Sequence, residues 1–449
     1  MTEAVAKPRS GKPLAWKLWK GFLAFPRFGF AGPSPAPPSR PDGGHNRSLD
    51  GLRFFAFLLV FFFHALQWSP WGNWPIIRFG YLGVPIFFVL SGFLIGGILL
   101  DLRDRPRPDF GLGAKLKTFY VRRSLRIFPV YYLFIGILVL LLVFSGQSDP
   151  IANDSVFWHL TYLTNFRSFF AGMDNIRQGH FWSLAVEEHF YLLAPLVVLL
   201  ASHRALVRLL AFVILAVASA RYAIYAVGSS RDFWVLSPMQ FDLLGLGIAT
   251  AIIERKGRFL GIDGRILRYL GLGAAVFFAL FIRRFYLGRP GIGVWYATFG
   301  PLSLGVATAA LVLTLWQRPT WFPSRVLGFR VFAYFGQISY GLYLFHPNCL
   351  GWTSKYYGKY NLTNTFVGLA VTLIVAMISW HAFEKPINDL KSRFNYAGRT
   401  RAKAVARGSA MSPAALPDGR ARELQATASM VRRSRRNPDE LRERVESPG

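Results

Sequence analysis

Ten apolar runs of about 20 residues dominate the sequence, and each is long enough for a helix to cross the hydrocarbon of a bilayer. They lie near residues 52–68, 79–100, 127–145, 181–201, 206–227, 236–253, 266–285, 298–316, 331–350 and 362–383. The runs follow one another too closely to leave room for a large soluble domain, and 53% of the residues are hydrophobic. The sequence therefore predicts an all-α polytopic membrane protein with about ten transmembrane helices.

An eleventh stretch, "VFWHLTYLTNF" (Val156–Phe166), is shorter and contains several polar side chains. If it were counted as a span, every later loop would change sides, and the excess of Lys and Arg on one side of the membrane, described next, would disappear. We therefore expect this stretch to lie at the membrane interface or to re-enter the membrane without crossing it.

Basic residues are distributed unevenly between the two sides of the ten predicted spans. The loops on the side of the N-terminus hold 18 Lys and Arg residues, whereas the opposite loops hold 9. Because cytoplasmic loops carry such an excess, both termini are predicted to be cytoplasmic. The net charge of +29 is then mostly a consequence of topology, and no nucleic-acid partner is predicted.

Two basic tails flank the membrane region. We predict an N-terminal tail rich in Pro and Gly (residues 1–47), a transmembrane domain (48–391) and a disordered C-terminal tail (392–449) without an apolar period. In the first tail, "LAWKLWKGFLAF" (Leu14–Phe25) has the composition of a segment that lies along a membrane surface. The single cysteine, Cys349, excludes an intrachain disulfide and a multi-cysteine metal site, and no metal site is predicted.

Arg53 and His64 lie in the first apolar run, where polar side chains are costly. They are eleven residues apart, about three helical turns, so they share one helix face and are separated by roughly 16 Å along the axis. The structural explanations are an interfacial anchor for Arg53 and a packed, hydrogen-bonded His64. The functional explanation is a helix that lines a polar cavity. Asp50, just before them, is predicted to N-cap this helix.

Arg123 and Arg126 open the third span, in "FYVRRSLRIFPVYY", and are neighbours on one helical face. One interpretation is that they anchor a basic loop at the interface. The other is a clamp for a phosphate-bearing cytoplasmic ligand, because the guanidinium group offers planar, forked donors.

Two adjacent carboxylates, Glu187 and Glu188, lie about two turns inside the fourth span, in "HFWSLAVEEHFYLLAPL". Adjacent carboxylates in an apolar segment need cationic or hydrogen-bonding partners, or else they take up protons. Arg221 in the next span is a candidate partner, and Asp242 is a further acid. A purely structural ion-pair cluster is the alternative.

Three histidines, His64, His180 and His346, are expected to gather on one side of the membrane. His180 shares a helical face with Glu187 at i, i+7. His346 ends the motif "ISYGLYLFHP", and the proline after it is also typical of a simple helix end.

The second span contains "FFVLSGFLIGG". Its Gly92 predicts close packing between helices, because small residues let backbones approach one another. Ser91 is not predicted to be a nucleophile, since no base stands at a diagnostic spacing.

Taken together, these segments resemble the membrane-bound acyltransferase 3 family, the O-acetyltransferases that modify surface polysaccharides and related glycans. The resemblance covers residues 47–391 and rests on the order of its motifs. They are "LDGLRFFAFLLVFFFHA", "GVPIFFVLSGFLI", "FYVRRSLRIFPVYY", "FWSLAVEEHFYLL", "ISYGLYLFHP" and the closing "FEKP". The resemblance implies a multi-pass enzyme of the bacterial plasma membrane. Such an enzyme moves an acyl group, commonly acetyl, from cytoplasmic acyl-CoA to a hydroxyl of an extracytoplasmic glycan or glycolipid.

The resemblance also gives roles to particular residues. The family's Arg-x10-His pair corresponds to Arg53 and His64, and its Arg-x-x-Arg motif supplies the other donor-binding residues. His64 would act as the general base or would briefly accept the acyl group on a ring nitrogen, and the sequence does not choose between these routes. On chemical grounds beside the resemblance, Glu187 or Glu188 would orient the imidazole, as a carboxylate does in a catalytic triad. The donor-binding set is Arg53, Arg123 and Arg126, and the supporting set is His180, Arg221, Asp242 and His346.

Acyl-CoA is expected as a co-substrate, with no permanently bound cofactor, and the other expected partners are the acceptor and membrane lipids. The sequence specifies neither the acceptor nor the oligomeric state. Two other classes of function use the same residues. A transporter or flippase for a lipid-linked sugar or an anion would use the intramembrane charges for substrate passage. A membrane scaffold would retain the fold without catalysis.

Overall fold

The computed structural model describes residues 46–104, 110–144, 156–172, 178–228, 232–256, 264–286 and 292–394. The predicted surface segment Leu14–Phe25 lies outside these residues, as does the predicted disordered tail (392–449) from residue 395 onward. The first two residues of that predicted tail belong to a 3-10 helix, Leu390–Arg393. Every regular element in the described ranges is a helix, which confirms the all-α prediction.

The principal helices carry the labels α1 to α11 in chain order. They are α1 (Arg47–Leu66), α2 (Gly83–Asp104), α3 (Leu112–Phe144), α4 (Phe181–Leu200), α5 (His203–Ala226), α6 (Phe241–Lys256), α7 (Gly264–Tyr286), α8 (Ile292–Gln317), α9 (Arg330–Gln337), α10 (Ser339–Tyr357) and α11 (Leu362–Ser379). Shorter helices include Pro75–Arg78, Thr164–Ala171, Phe322–Leu327 and Lys385–Asp389.

Eight helices in the described part of the chain are long and apolar enough to cross a membrane, and they correspond to eight of the ten predicted runs. The other two runs fold differently. The run at 236–253 becomes a 3-10 turn (Ser237–Gln240) followed by the 16-residue α6. The run at 331–350 is divided at Ile338 between α9 and α10. The multi-pass fold is confirmed, while the number of crossings and the sides of the termini stay predictions.

Helix α1 begins earlier than its apolar run, because Asn46 caps it. The Asn46 side-chain oxygen accepts hydrogen bonds from the backbone N–H of Ser48 at 3.1 Å and from its hydroxyl at 2.6 Å. The prediction that Asp50 is the N-cap is therefore wrong. Asp50 lies in the first turn, where a negative charge suits the helix dipole. Its carboxylate is 3.7 Å from the Arg53 guanidinium.

The stretch Val156–Phe166 contains only short helical pieces in the described range. Residues 156–160 are helical, and a second helix of eight residues begins at Thr164. Neither piece is long enough to span a bilayer. The Tyr131 hydroxyl on α3 donates to the carbonyl of His159 at 2.9 Å, which ties this stretch to the helix bundle.

The helices differ strongly in how much of their surface is covered by protein. Buried residues form 61% of the apolar window of α1 and 67% of that of α2, but only 6% of that of α7. Near the end of α3, Leu141 and Phe144 are exposed, as expected of apolar side chains that contact lipid. Helices α1 and α2 are therefore covered mostly by protein, as is α8, whose window is also 61% buried.

Helices α2 and α6 approach so closely that only glycine fits at their contact. A Cβ atom on Gly92 would lie 2.0 Å from the carbonyl oxygen of Leu244, and one on Gly247 would lie 2.3 Å from that of Val89. The prediction of close packing at Gly92 is confirmed. This contact holds α6, which carries Asp242, against α2.

We predict that Gly92→Ala lowers stability, because the added methyl group forces the α2 and α6 backbones apart. Overpacking of this kind costs about 1–3 kcal/mol. Gly273→Ala on α7 is the matched control, since a Cβ there meets nothing within 4 Å. The measurement is the thermal unfolding midpoint of each purified protein in detergent. Equal midpoints for both variants would contradict the close-packing interpretation.

Candidate active site

Helix α1 places Arg53 and His64 in the walls of two different cavities. The larger cavity, the histidine cavity, has a volume of about 950 Å³ and includes His64 in its lining. Its other polar lining residues include Gln67, His180, Arg221, Gln240, Lys359 and Asn364. The helical spacing predicted from the sequence therefore separates the two side chains into two environments.

The smaller cavity, the arginine cavity, has a volume of about 80 Å³. The three predicted donor-binding residues, Arg53, Arg123 and Arg126, all line it. Glu187 lines it as well, together with residues of α2, α3, α4 and α10. The structure thus brings together the two arginine motifs, which are 70 or more residues apart in the sequence.

The imidazole of His64 is partly exposed, and it forms a hydrogen bond with a second histidine. Its Nδ1 atom lies 2.8 Å from Nε2 of His346, and the two rings are stacked with centroids 5.0 Å apart. His346 is completely buried, and its Nδ1 atom lies 2.8 Å from the carbonyl oxygen of Tyr343. The ring of His180 is 5.5 Å from that of His346, so the three predicted histidines do gather. Among the described residues, no group of three or more His, Cys, Asp or Glu residues is arranged to hold a metal ion.

The Glu187 side chain is held within the arginine cavity by two hydroxyl groups. Ser91 on α2 donates to one carboxylate oxygen at 2.6 Å, and Tyr191, one turn further along α4, donates to the other at 3.1 Å. The Arg123 guanidinium lies 5.6 Å from the centre of the Tyr191 ring. Half-buried Glu188 interacts electrostatically with Arg123. An orienting role for either glutamate at the imidazole stays a prediction, because the contacts described here run to other residues.

Two hydroxyl groups that the sequence did not single out lie between the cavities. Tyr343 lines both cavities, as does Val84. The Tyr343 hydroxyl is 2.6 Å from the hydroxyl of Ser183, which also lines the arginine cavity. These residues form part of a wall between the two cavities. A tyrosine three residues before His346 falls on nearly the same helix face, and this was the signal available in the sequence.

Arg221 and Asp242 form a buried ion pair, which corrects the candidate pairing of Arg221 with a glutamate. The guanidinium donates to the two carboxylate oxygens at 2.8 and 3.0 Å and also to the carbonyl oxygen of Met239. The two residues are 4% and 0% exposed. The pair joins α5 to the start of α6 and neutralises the charge that Arg221 brings to the histidine cavity.

We predict that Asp242→Asn destabilises the protein by about 3–5 kcal/mol, because it leaves the guanidinium buried without its counter-charge. The double variant Arg221→Met/Asp242→Leu should recover much of that loss, since it removes both charges. Unfolding of the single and double variants in detergent, monitored by tryptophan fluorescence, checks this. A double variant less stable than Asp242→Asn would contradict it.

The fold and the cavities define a multi-pass membrane protein in which one helix carries a histidine of a hydrogen-bonded pair at one cavity and an arginine of a three-arginine cluster at another. An acyltransferase domain model, that of the acyltransferase 3 family, matches residues 46–381. The chain therefore belongs to the acyltransferase 3 family of membrane O-acyltransferases, as its motifs predicted.

Several relatives share this region at low identity. The chain is 28% identical to the peptidoglycan O-acetyltransferase OatA of Listeria monocytogenes, over 76% of this chain and 55% of the relative. It is 28% identical to the putative peptidoglycan O-acetyltransferase YrhL of Bacillus subtilis, over 76% and 54%. It is 27% identical to a putative O-acetyltransferase of Staphylococcus aureus, over 75% and 56%. The chain thus spans about half the length of these curated relatives, and no solved structure matches it.

Proposed function

We propose that this protein transfers an acyl group, in the first instance acetyl, from acyl-CoA on the cytoplasmic side to a hydroxyl group of an extracytoplasmic glycan. The observation that carries this proposal is that two side chains of α1, Arg53 and His64, line two different cavities. Three arginines line the first cavity, and a hydrogen-bonded histidine pair reaches the second. One helix thus connects an anion-binding site to a group able to accept a proton.

The arginine cavity supplies the donor site. Guanidinium groups bind phosphate oxygens through charge-assisted, often paired hydrogen bonds. A volume of about 80 Å³ is far below that of a pocket that encloses a drug-sized ligand. The nucleotide of acyl-CoA would therefore remain outside, with its phosphates at the arginines and its thioester arm directed inward.

His64 supplies the proton-transfer chemistry. In the direct route, its ring takes the proton of the acceptor hydroxyl while the hydroxyl oxygen attacks the thioester carbonyl. A C–O bond forms, the C–S bond breaks, and the CoA thiolate leaves and takes up a proton. In the two-step route, the ring nitrogen first attacks the thioester carbonyl, the C–S bond breaks and the CoA thiolate leaves. The hydroxyl oxygen then attacks the acyl carbon, the C–N bond to the ring breaks, and the hydroxyl proton passes to the released ring nitrogen and from there to the thiolate.

The histidine cavity suits a carbohydrate acceptor in size and lining. Its volume of about 950 Å³ lies at the upper end for small-molecule sites. It offers the rings of Trp182, Trp234 and Tyr360 beside amide and ammonium donors. Since two of the relatives carry peptidoglycan in their names, we propose peptidoglycan and its lipid-linked precursor as the first acceptors to test.

The residues between the two cavities imply that a side chain moves during the proposed reaction. Because Tyr343 and Val84 line both cavities, a thioester that passes from the arginine cavity toward His64 would pass these side chains, and we propose that Tyr343 moves to admit it. That movement breaks the 2.6 Å hydrogen bond to Ser183. One uncharged hydrogen bond contributes about 1 kcal/mol, so a binding donor can supply the energy.

We predict that His64→Ala abolishes acyl transfer while the protein still inserts into the membrane. Inverted membrane vesicles that contain the chain receive radiolabelled acetyl-CoA, and labelled glycan is separated and identified by mass spectrometry. Incorporation with the native protein and its loss in His64→Ala support the enzyme. Labelled protein that accumulates without an acceptor, and only with His64 present, identifies the two-step route.

Other outcomes of the vesicle experiment would overturn the proposal. Movement of a lipid-linked sugar across the membrane without acylation would identify a transporter. If donor and peptidoglycan precursor are both supplied and the experiment detects no transport and no acylation, the remaining explanation is a membrane scaffold without catalysis.

We predict that Arg123→Gln/Arg126→Gln weakens binding of acetyl-CoA at least tenfold, because the phosphates lose two charged, forked partners. Binding of the acceptor should change much less, since its cavity is separate. Arg204→Gln/Arg208→Gln is the matched control, because both side chains are exposed at the start of α5. Equilibrium binding to purified protein measures this effect, and an unchanged donor affinity in the first double variant would contradict the donor role.

A further inference from the structure

We infer that His346 is a positioning residue that fixes the tautomer of His64, so that Nε2 of His64 is the ring nitrogen with a free lone pair. This inference deepens the proposed function and rests on it for its kinetic consequence. It stands on four features of α1 and α10: a proline, a freed carbonyl group, a buried ring and the hydrogen bond between the two histidines.

The series of hydrogen bonds that orients His64 starts near Pro347, which lies inside α10. In a regular helix, the N–H of residue 347 would donate to the carbonyl oxygen of Tyr343, four residues earlier. Proline has no N–H, so it removes that hydrogen bond. The His346 ring replaces the missing donor, with its Nδ1 atom 2.8 Å from the Tyr343 carbonyl oxygen.

That hydrogen bond determines the tautomer of His346. A carbonyl oxygen only accepts hydrogen bonds, so Nδ1 of His346 must carry the proton. The ring is completely buried, and burial of an unpaired charge is unfavourable, so the neutral form is expected. In a neutral imidazole with a proton on Nδ1, the Nε2 atom is an acceptor.

The acceptor on His346 then determines the tautomer of His64. Nδ1 of His64 lies 2.8 Å from Nε2 of His346, so it must be the donor in this contact. A neutral His64 with a proton on Nδ1 has its lone pair on Nε2, on the other side of the ring. Since His64 lines the histidine cavity, Nε2 is the ring nitrogen left for a substrate.

Packing keeps the His346 ring from turning away. Phe57 and Phe61 on α1 are both 0% exposed, and their ring centroids lie 5.9 and 6.2 Å from that of His346. These two residues precede His64 by seven and three positions, so all three fall on one face of α1. The helix that carries His64 therefore also holds its orienting partner in place.

The fixed tautomer serves both routes of the proposed reaction. In the direct route, Nε2 takes the proton from the acceptor hydroxyl, and in the two-step route it takes the acyl group. In both, His64 becomes positively charged while its Nδ1–H still donates to His346, and a charge-assisted hydrogen bond is stronger than a neutral one. The hydrogen bond thus strengthens as the reaction proceeds.

The test compares two substitutions of His346 in the full-length protein purified in detergent. His346→Gln keeps an acceptor for Nδ1 of His64 and a donor for the Tyr343 carbonyl group, whereas His346→Leu keeps neither. We expect His346→Leu to lower kcat by about 10²-fold or more, the scale of general acid–base catalysis, with little change in KM for acetyl-CoA. His346→Gln should recover most of that loss. A wild-type kcat in His346→Leu would overturn the inference, and so would equal losses in both variants at equal thermal stability.

A spectroscopic measurement tests the tautomer without any reaction. The chain has eight histidines, and ¹⁵N NMR of histidine-labelled protein, assigned with His64→Gln, identifies the protonated nitrogen of His64. We expect a proton on Nδ1 in the native protein and in His346→Gln. A proton on Nε2 in the native protein would overturn the inference even if acyl transfer is observed. If Nδ1 is protonated but no acceptor is acylated, the proposed function fails and the tautomer assignment stands.

Discussion

The energetic cost of a polar or charged side chain in hydrocarbon constrains where the buried polar groups of the described helices lie. The structure meets that constraint in three ways. Arg221 is neutralised directly by Asp242. Arg53, Arg123 and Arg126 share a small cavity with Glu187, whose carboxylate also receives two hydroxyl hydrogen bonds. His346 is satisfied by a backbone carbonyl group that a proline has freed.

Helix α1 carries polar side chains into both cavities, as the proposed reaction between a cytoplasmic donor and an extracytoplasmic acceptor requires. Eleven residues of α-helix place Arg53 and His64 on one face and roughly 16 Å apart, so each side chain reaches a different cavity. Because α1 is among the most buried helices, its position is fixed by protein contacts on most of its surface. Close contacts such as that at Gly92 keep the neighbouring helices at their correct distance.

The sequence correctly predicted features that depend on local residue patterns. Predictions of side-chain partners were wrong where the partner depends on which helices pack together and how each helix is rotated about its axis. Apolar length gave the helical fold, and helical spacing gave the shared face of Arg53 and His64. No local pattern indicates that Arg221 pairs with Asp242 and not with a glutamate, since α5 contacts α6 only in the folded bundle. Proline after His346 was equally compatible with a helix end, but α10 continues to Tyr357.

The wall formed in part by Tyr343 and Val84 has a consequence for the cell as well as for the reaction. A site that accepted molecules from both faces at once through an open passage would also conduct water and small ions. Each elementary charge crossing a membrane potential of about 100 mV dissipates roughly 2.3 kcal/mol. If the proposed movement of Tyr343 joins the two cavities only while the donor is bound, the proposed acyl transfer would proceed without a continuous path for ions across the membrane.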